Sequence, residues 1–209
     1  MRIISHRGFW LEPREKNSIE AFQRTVDDGF GTETDFRDLN GDLVISHDPP
    51  TSSSAIAVEK LMEIFRDKRL VLAANVKSDG VGSMIKEVMD RYKQEYFAFD
   101  MSGPQLKQYT DLGIPSYTRH SDIEPEPILY GKAAGVWLDD FAGGWISEGI
   151  VREHLSAHKQ VCVVSSELHG RSEEELWEML RSTKLTQSAD LTLCTDLPTK
   201  AVEFFGSRT

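Results

Sequence analysis

Residues 2–10 read Arg2-Ile3-Ile4-Ser5-His6-Arg7-Gly8-Phe9-Trp10, a short apolar run that ends on a histidine, an arginine and a glycine. The run has the length and bounds of a β-strand, and the residues just after it separate two ways of arranging strands and helices. An open doubly wound sheet places a glycine-rich phosphate loop, G-x-G-x-x-G, after its first strand. His6-Arg7-Gly8-Phe9-Trp10 contains no such loop. A (β/α)8 barrel instead sets polar, chemically active side chains at the C-terminal ends of its strands, which is where His6 and Arg7 fall.

Working outward, strand-like runs alternate with helical ones along the whole chain. A helix is predicted over 18–28, capped by Asn17 or Ser18 and carrying Ile19, Phe22 and Val26 as its apolar stripe. Gly29 and Gly31 punctuate its end before a strand over 32–36. Asn40-Gly41 reads as a turn into a small returning strand over 42–46. Further helices fall near 58–66, 84–92, 105–112, 148–158, 173–181 and 198–205. Between them lie strands over 70–76, 96–99, 116–118, 135–138, 161–165 and 191–194, with a connection holding Pro125 and Pro127 before the strand at 135. With 3–6 and 32–36 the main strands number eight, and no linker-like stretch interrupts them. The pattern predicts an α/β chain folded as a single (β/α)8 barrel domain over 1–209. About 250 residues is usual for that fold, so helices and loops here must be trimmed.

Composition narrows the partners. The chain has 209 residues, 39% hydrophobic and 28% charged, an ordinary globular mix. Its 34 acidic and 24 basic side chains give a formal charge of −10, which repels a phosphate backbone and argues against nucleic acid. A small anionic substrate is compatible with that charge, because a metal ion and a few local cations can reverse the potential inside a pocket. No apolar run approaches the roughly 18 residues of a spanning helix, so no membrane insertion is expected. Met1-Arg2 leads straight into a strand rather than a secretory segment, and Cys162 and Cys194 fall in apolar runs as small reduced core residues. A cytoplasmic location is expected.

The strand ends carry the candidate chemistry: His6-Arg7, Glu33 and Asp35, Asn75 and Lys77, Asp100, Arg119-His120, Asp139-Asp140, Glu167 and His169, and Asp196. Polar residues at all eight ends of otherwise apolar runs would be an odd outcome of stability alone. Glu33 and Asp35 lie two apart, so on a strand both point to one face, an arrangement suited to a divalent cation. His47, in Ser46-His47-Asp48, joins His6 as a second imidazole within the first fifty residues. Two histidines and two carboxylates at strand tips form a candidate acid–base pair around a metal.

His6-Arg7-Gly8, Asn17-Ser18 with Ala21-Phe22, Gly31, Glu33-x-Asp35, Asn40-Gly41-Asp42-Leu43-Val44 and His47-Asp48 together resemble the glycerophosphodiester phosphodiesterases. The wider group includes the phosphatidylinositol-specific phospholipase C-like barrels. Residues 72–77 look like the family's third strand, Arg119-x-Ser121 like its fifth, and Thr195-Asp196-x-Pro198 like its closing strand. The resemblance implies metal-assisted hydrolysis of a small phosphodiester, with His6 and His47 as the proton-transfer pair. It implies Mg²⁺ or Ca²⁺ on Glu33 and Asp35, Arg7 on a non-bridging phosphate oxygen, and Lys77 as a second positive charge.

Departures from the family accompany the match. Lys16 stands where a glutamate usually precedes Asn-Thr, and Asn75 aligns with the third-strand glutamate that completes the metal site. An amide oxygen can ligate Mg²⁺ or Ca²⁺ without supplying charge. Glu167 is the candidate replacement for that carboxylate, with His169, Arg171 and Arg119 as candidate substrate contacts. The short connection after the second strand predicts a small, soluble, glycerol- or sugar-linked substrate rather than a lipid in a bilayer. Asn75 and Lys16 also admit a non-catalytic relative that binds a phosphorylated metabolite, and the same chemistry ending at a cyclic phosphate would make a lyase. Phe9, Trp10, Trp137 and Trp145 are candidate stacking or packing residues, and His154 with His158 reads as a solvated helix face. The oligomeric state is not legible.

Overall fold

The computed structural model describes residues 1–51 and 54–206. They form two compact units, one within residues 5–116 and the other of 1–4 with 117–206. Strand β1 (Arg2–His6) gives Ser5 and His6 to the first unit and the rest to the second.

The first unit continues with α1 (Ile19–Asp27), β2 (Gly31–Leu39), β3 (Asp42–Ile45), β4 (Ile56–Ala57) and α2 (Val58–Phe65). It closes with β5 (Leu72–Val76), α3 (Gly82–Tyr92), β6 (Tyr96–Phe99) and α4 (Gly103–Asp111). Ser18 is the residue that caps α1: its Oγ accepts from the Ala21 amide at 3.1 Å. Strands β2, β5 and β6 are parallel neighbours, while β3 returns antiparallel along β2 and pairs with β4. The left-handed pair Asn40 (φ 54°) and Gly41 (φ 92°) makes that hairpin, and pairing with β3 carries β2 three residues beyond its expected end. The two-residue β4 has no counterpart in the sequence pattern; it is too short to have a period.

Register decides what each face of this sheet carries. Glu33 lies opposite Ala73, and Asp35 opposite Asn75, which in turn lies opposite Phe99. Phe36, Leu72, Ala74, Val76 and Ala98 therefore point the other way, where they share one core with Phe22 and Val26 of α1, Leu61 and Phe65 of α2, Ile85 and Met89 of α3, and Tyr109 of α4. Burying each large apolar side chain contributes about 1.5–3 kcal/mol. A one-residue slip of β2 would drive Glu33 and Asp35 into that helix-covered layer, so burial of the helices fixes the acidic face.

The second unit holds β7 (Tyr117–His120), β8 (Gly135–Leu138), α5 (Glu148–Ser156), β9 (Gln160–Val164), α6 (Glu174–Ser182), β10 (Leu191–Thr195) and α7 (Pro198–Phe205). Its strands run parallel in the order β7-β8-β9-β10. Trp177 of α6 is fully buried, packs its ring 5.5 Å from those of Phe204 and Phe205, and donates from Nε1 to Ser165 Oγ at 2.8 Å. Cys162 and Cys194 are buried on β9 and β10, where Cys162 faces Thr192 and Cys194 faces Val164. His154 is not on a solvated face as its spacing suggests: it is 2% exposed, whereas His158 lies in the open. Among the described residues no helix is long and apolar enough to cross a membrane.

Candidate active site

In the first unit the chain leaves β1 through two left-handed residues, Arg7 (φ 58°) and Gly8 (φ 83°). A glycine is required at the second: a Cβ on Gly8 would lie 2.7 Å from the Cβ of Ala21. The turn is held by Arg7 N donating to Glu33 O at 2.9 Å, Gly8 N to Thr32 Oγ1 at 3.0 Å and Phe9 N to Thr25 Oγ1 at 2.7 Å. These bonds bring His6 and Arg7 over the end of β2.

Glu33 and Asp35 are 1% and 0% exposed, a costly pair of carboxylates to withdraw from water without partners. Asp35 Oδ2 accepts from Asn17 Nδ2 at 2.8 Å and lies 3.0 Å from Arg7 Nε, while Lys77 Nζ stands 3.7 Å from Oδ1 and 3.2 Å from Asp100 Oδ2. Glu33 Oε1 accepts from Asn75 Nδ2 at 2.9 Å. Its Oε2 accepts from the Arg7 amide at 3.2 Å and lies 3.8 Å from His6 Nε2. Burial first, and then the charge of Asp35, push Glu33 above the usual carboxylate range against the pull of His6, Arg7 and Asn75. Six of the residues singled out in the sequence, His6, Arg7, Glu33, Asp35, Asn75 and Lys77, thus come together.

His47 follows Ser46, whose amide donates to Asp35 O at 3.0 Å, so its backbone is beside the acidic pair. Its imidazole is about half exposed and pairs through Nδ1 with Asp48 Oδ1 at 2.9 Å. The sequence marks Asn17 only as a cap and a motif residue. It binds Asp35 through Nδ2 and accepts from Thr34 Oγ1 at 2.8 Å through Oδ1, in a left-handed conformation (φ 59°) that no local sequence pattern announces. Phe9 packs edge-on against Phe30 at 6.2 Å, and Lys16 lies over the Trp10 ring at 4.5 Å.

Donor chemistry tests whether a divalent cation fits this group. Two buried oxygens of cross-strand partners, Asp35 Oδ1 and Asn75 Oδ1, have no hydrogen-bond partner. Hard cations take such carboxylate and amide oxygens. Among the described residues no three His, Cys, Asp or Glu side chains gather into a metal-sized group, so the fitting set is two carboxylates and one amide.

The strand ends of the second unit gather a different cluster. Arg119 lies opposite Trp137, which puts Asp139 two residues on along the same face. Asp139 is 5% exposed and accepts from Arg119 Nη1 at 2.9 Å and from His169 Nε2 at 2.7 Å. Arg119 Nε also meets Glu124 Oε2 at 3.1 Å. Arg171 donates to the carbonyls of Asp140 and Phe141. Glu167 uses both carboxylate oxygens within this unit: one accepts from Ser165 Oγ, the other from Thr195 Oγ1 and from the Asp196 amide at 3.0 Å. Those bonds hold its carboxylate in place within this unit. Beyond them, His120 Nδ1 and His154 Nε2 share a hydrogen bond of 2.8 Å, His154 Nδ1 meets Tyr130 OH at 3.0 Å, and Trp145 packs edge-on to His120 at 4.7 Å.

Comparison with known proteins places the fold. A glycerophosphoryl diester phosphodiesterase from Parabacteroides distasonis superposes with a TM-score of 0.70 at 14% identity, over 98% of this chain and 86% of its own. N-(5'-phosphoribosyl)anthranilate isomerase from Pyrococcus furiosus superposes with a TM-score of 0.52, also at 14% identity, over 100% of this chain and 98% of its own. Both are (β/α)8-barrel proteins, and this chain has that fold class in trimmed form. No family model and no curated protein matches the sequence.

Proposed function

We propose that the chain is a phosphodiesterase acting on a small glycerol- or sugar-linked phosphodiester. The observation that carries the reading is the buried Glu33–Asp35 pair, edged by Asn75, with His6, Arg7 and Lys77 held against it. The likeness to a phosphodiesterase over nearly the whole chain supports the same chemistry. Glu33, Asp35 and Asn75 would hold Mg²⁺ or Ca²⁺, which supplies Lewis-acid polarisation of the phosphoryl oxygens. Arg7 gives charge-assisted hydrogen bonds to a non-bridging oxygen, and Lys77 adds positive potential from its place between Asp35 and Asp100. His6, beside the carboxylate of Glu33, carries a proton to the leaving alkoxide, and His47 is its expected partner in transfer. The test is a panel of glycerophosphodiesters with Mg²⁺, Ca²⁺ or chelator. Turnover that needs metal and disappears in His6→Ala supports the reading; full turnover in His6→Ala refutes the assignment.

A second reading, a non-catalytic binder of a phosphorylated metabolite, is favoured by one observation: Arg7 and Lys77 already neutralise Asp35, and Asn75 brings no charge. Calorimetry separates the two. Metal-independent binding of a phosphorylated polyol without turnover selects the binder.

A further inference from the structure

We infer that Lys16 and Trp10 select the leaving alcohol of the phosphodiester by its charge. They disfavour an alcohol that bears an ammonium group and favour one that bears a carboxylate. The inference rests on the phosphodiesterase reading for its reaction, and every residue it uses lies within 5–116.

The segment from Phe9 to Ser18 is built against the end of β1. Trp10 Nε1 donates to the carbonyl of His6 at 3.2 Å, so the indole edge lies on the backbone of the residue that protonates the leaving alkoxide. The Asn17 amide donates to Arg7 O at 2.8 Å and the Asn17 side chain binds Asp35, which anchors Lys16 one residue away from the same cluster. Further bonds brace the segment. Pro13–Glu15 form a 3₁₀ turn, and Glu15 accepts from the Leu11 amide and Arg24 Nη1, each at 2.9 Å, and from Arg24 Nη2 at 3.1 Å. Both carboxylates of the turn thus meet an arginine, since Glu12 pairs with Arg14 at 2.8 Å. Lys16 Nζ stands 4.5 Å from the centroid of the Trp10 ring.

An aromatic face beside a phosphate site attracts a cationic alcohol, because the ring quadrupole draws an ammonium to within about 6 Å of the centroid. Here a side chain of the protein already holds that place. A substrate ammonium at this ring must displace Lys16 or lie beside a like charge, and both cost affinity. A carboxylate on the alcohol meets the opposite potential and can accept a charge-assisted hydrogen bond from the Lys16 ammonium. An uncharged alcohol falls between the two.

The experiment compares three glycerophosphodiesters on the full chain. They are the choline ester, its uncharged neohexyl isostere with carbon in place of nitrogen, and the carboxyethyl ester. The expected kcat/KM is highest for carboxyethyl and lowest for choline, with choline at least about tenfold below neohexyl. Lys16→Met removes the charge and is expected to raise choline above neohexyl, whereas Lys16→Arg keeps the wild-type order. Damage to the fold lowers all three together and leaves their order alone, so the order reports charge. A choline ester turned over by the wild type as well as neohexyl overturns the proposal, as does the wild-type order persisting in Lys16→Met. The wild-type comparison decides even where a variant does not fold. A wild-type protein inert toward all three sinks the proposed function, and calorimetry then ranks the same esters as ligands. The same order upholds the selection by charge; equal affinities, or no binding, overturn it.

Discussion

Gly8→Ala is expected to damage the fold more than a left-handed glycine alone explains. Gly8 sits at φ 83°, and a Cβ there meets Ala21 Cβ at 2.7 Å and Ala21 C at 3.0 Å, inside the contact distance of real Cβ atoms. Forcing an L side chain into the left-handed region costs about 1–2 kcal/mol, and overpacking a closed contact adds about 1–3 kcal/mol. The sum, about 2–5 kcal/mol, lowers Tm by about 4–20 °C for a chain of this size. Gly41 supplies the control: it is also left-handed, at φ 92°, but nothing lies within 4 Å of its would-be Cβ. Gly41→Ala should therefore cost only about 1–2 kcal/mol. Thermal unfolding of both variants, followed by far-UV circular dichroism, measures the difference. Equal losses refute the close approach of the Arg7–Gly8 turn to α1, and with it the account of how His6 and Arg7 are held over β2.

His6→Ala should cost about 10²–10⁴ in kcat on a glycerophosphodiester with the circular dichroism spectrum unchanged, as expected of a lost proton-transfer group. Asn75→Glu adds a carboxylate beside Glu33 and Asp35; calorimetry should find Mg²⁺ or Ca²⁺ bound at least about tenfold more tightly, and unaltered affinity removes Asn75 from the ligand set. Burial, and then the neighbouring His120, lower His154 to about 4, below its ordinary value of 6.5. The folded state thus binds fewer protons than the unfolded chain between those values, so stability falls as pH drops from about 6.5 toward 4. His154→Gln should flatten that part of the stability–pH curve in chemical denaturation, and an unchanged slope excludes His154 as its source.

Fold class is legible because alternation of short apolar runs with amphipathic helices is a local property, and most element ends fall within a residue or two of expectation. The acidic pair is legible for the same reason: two residues apart on a strand means one face, and the register of Asp35 with Asn75 completes it. Three features are not. Asn17 reaches Asp35 only because its backbone is left-handed, which its neighbours in sequence do not dictate. Glu167 reads as a spare carboxylate at a strand end, whereas the Ser165 and Thr195 hydroxyls and the Asp196 amide bind it; hydroxyl partners leave no spacing signature. His154 stands at the spacing of a common helix face with His158, but α5 ends at Ser156, so the two no longer share a periodicity and only His154 turns into the protein.

Backbone conformation sets three residues of the first unit apart. Several non-glycine residues adopt positive φ where a left-handed residue is ordinary: Asn40 in a hairpin turn, and Lys93 closing α3. Arg7, Asn17 and Asp100 are different. Each sits between a strand end or loop and the following helix, each contacts the Asp35–Lys77 group, and none is a glycine. Placing the Arg7 side chain there costs about 1–2 kcal/mol, whereas the short polar side chains of Asn17 and Asp100 visit that region at less cost. One return is stability, because Arg7 and Asn17 partner the carboxylate of Asp35, which is costly to bury alone. The other is positional: the left-handed turns bring a guanidinium and an amide to Asp35 and a carboxylate to Lys77. Arg7 is the one of the three held against its backbone preference, and its guanidinium lies on the buried Asp35.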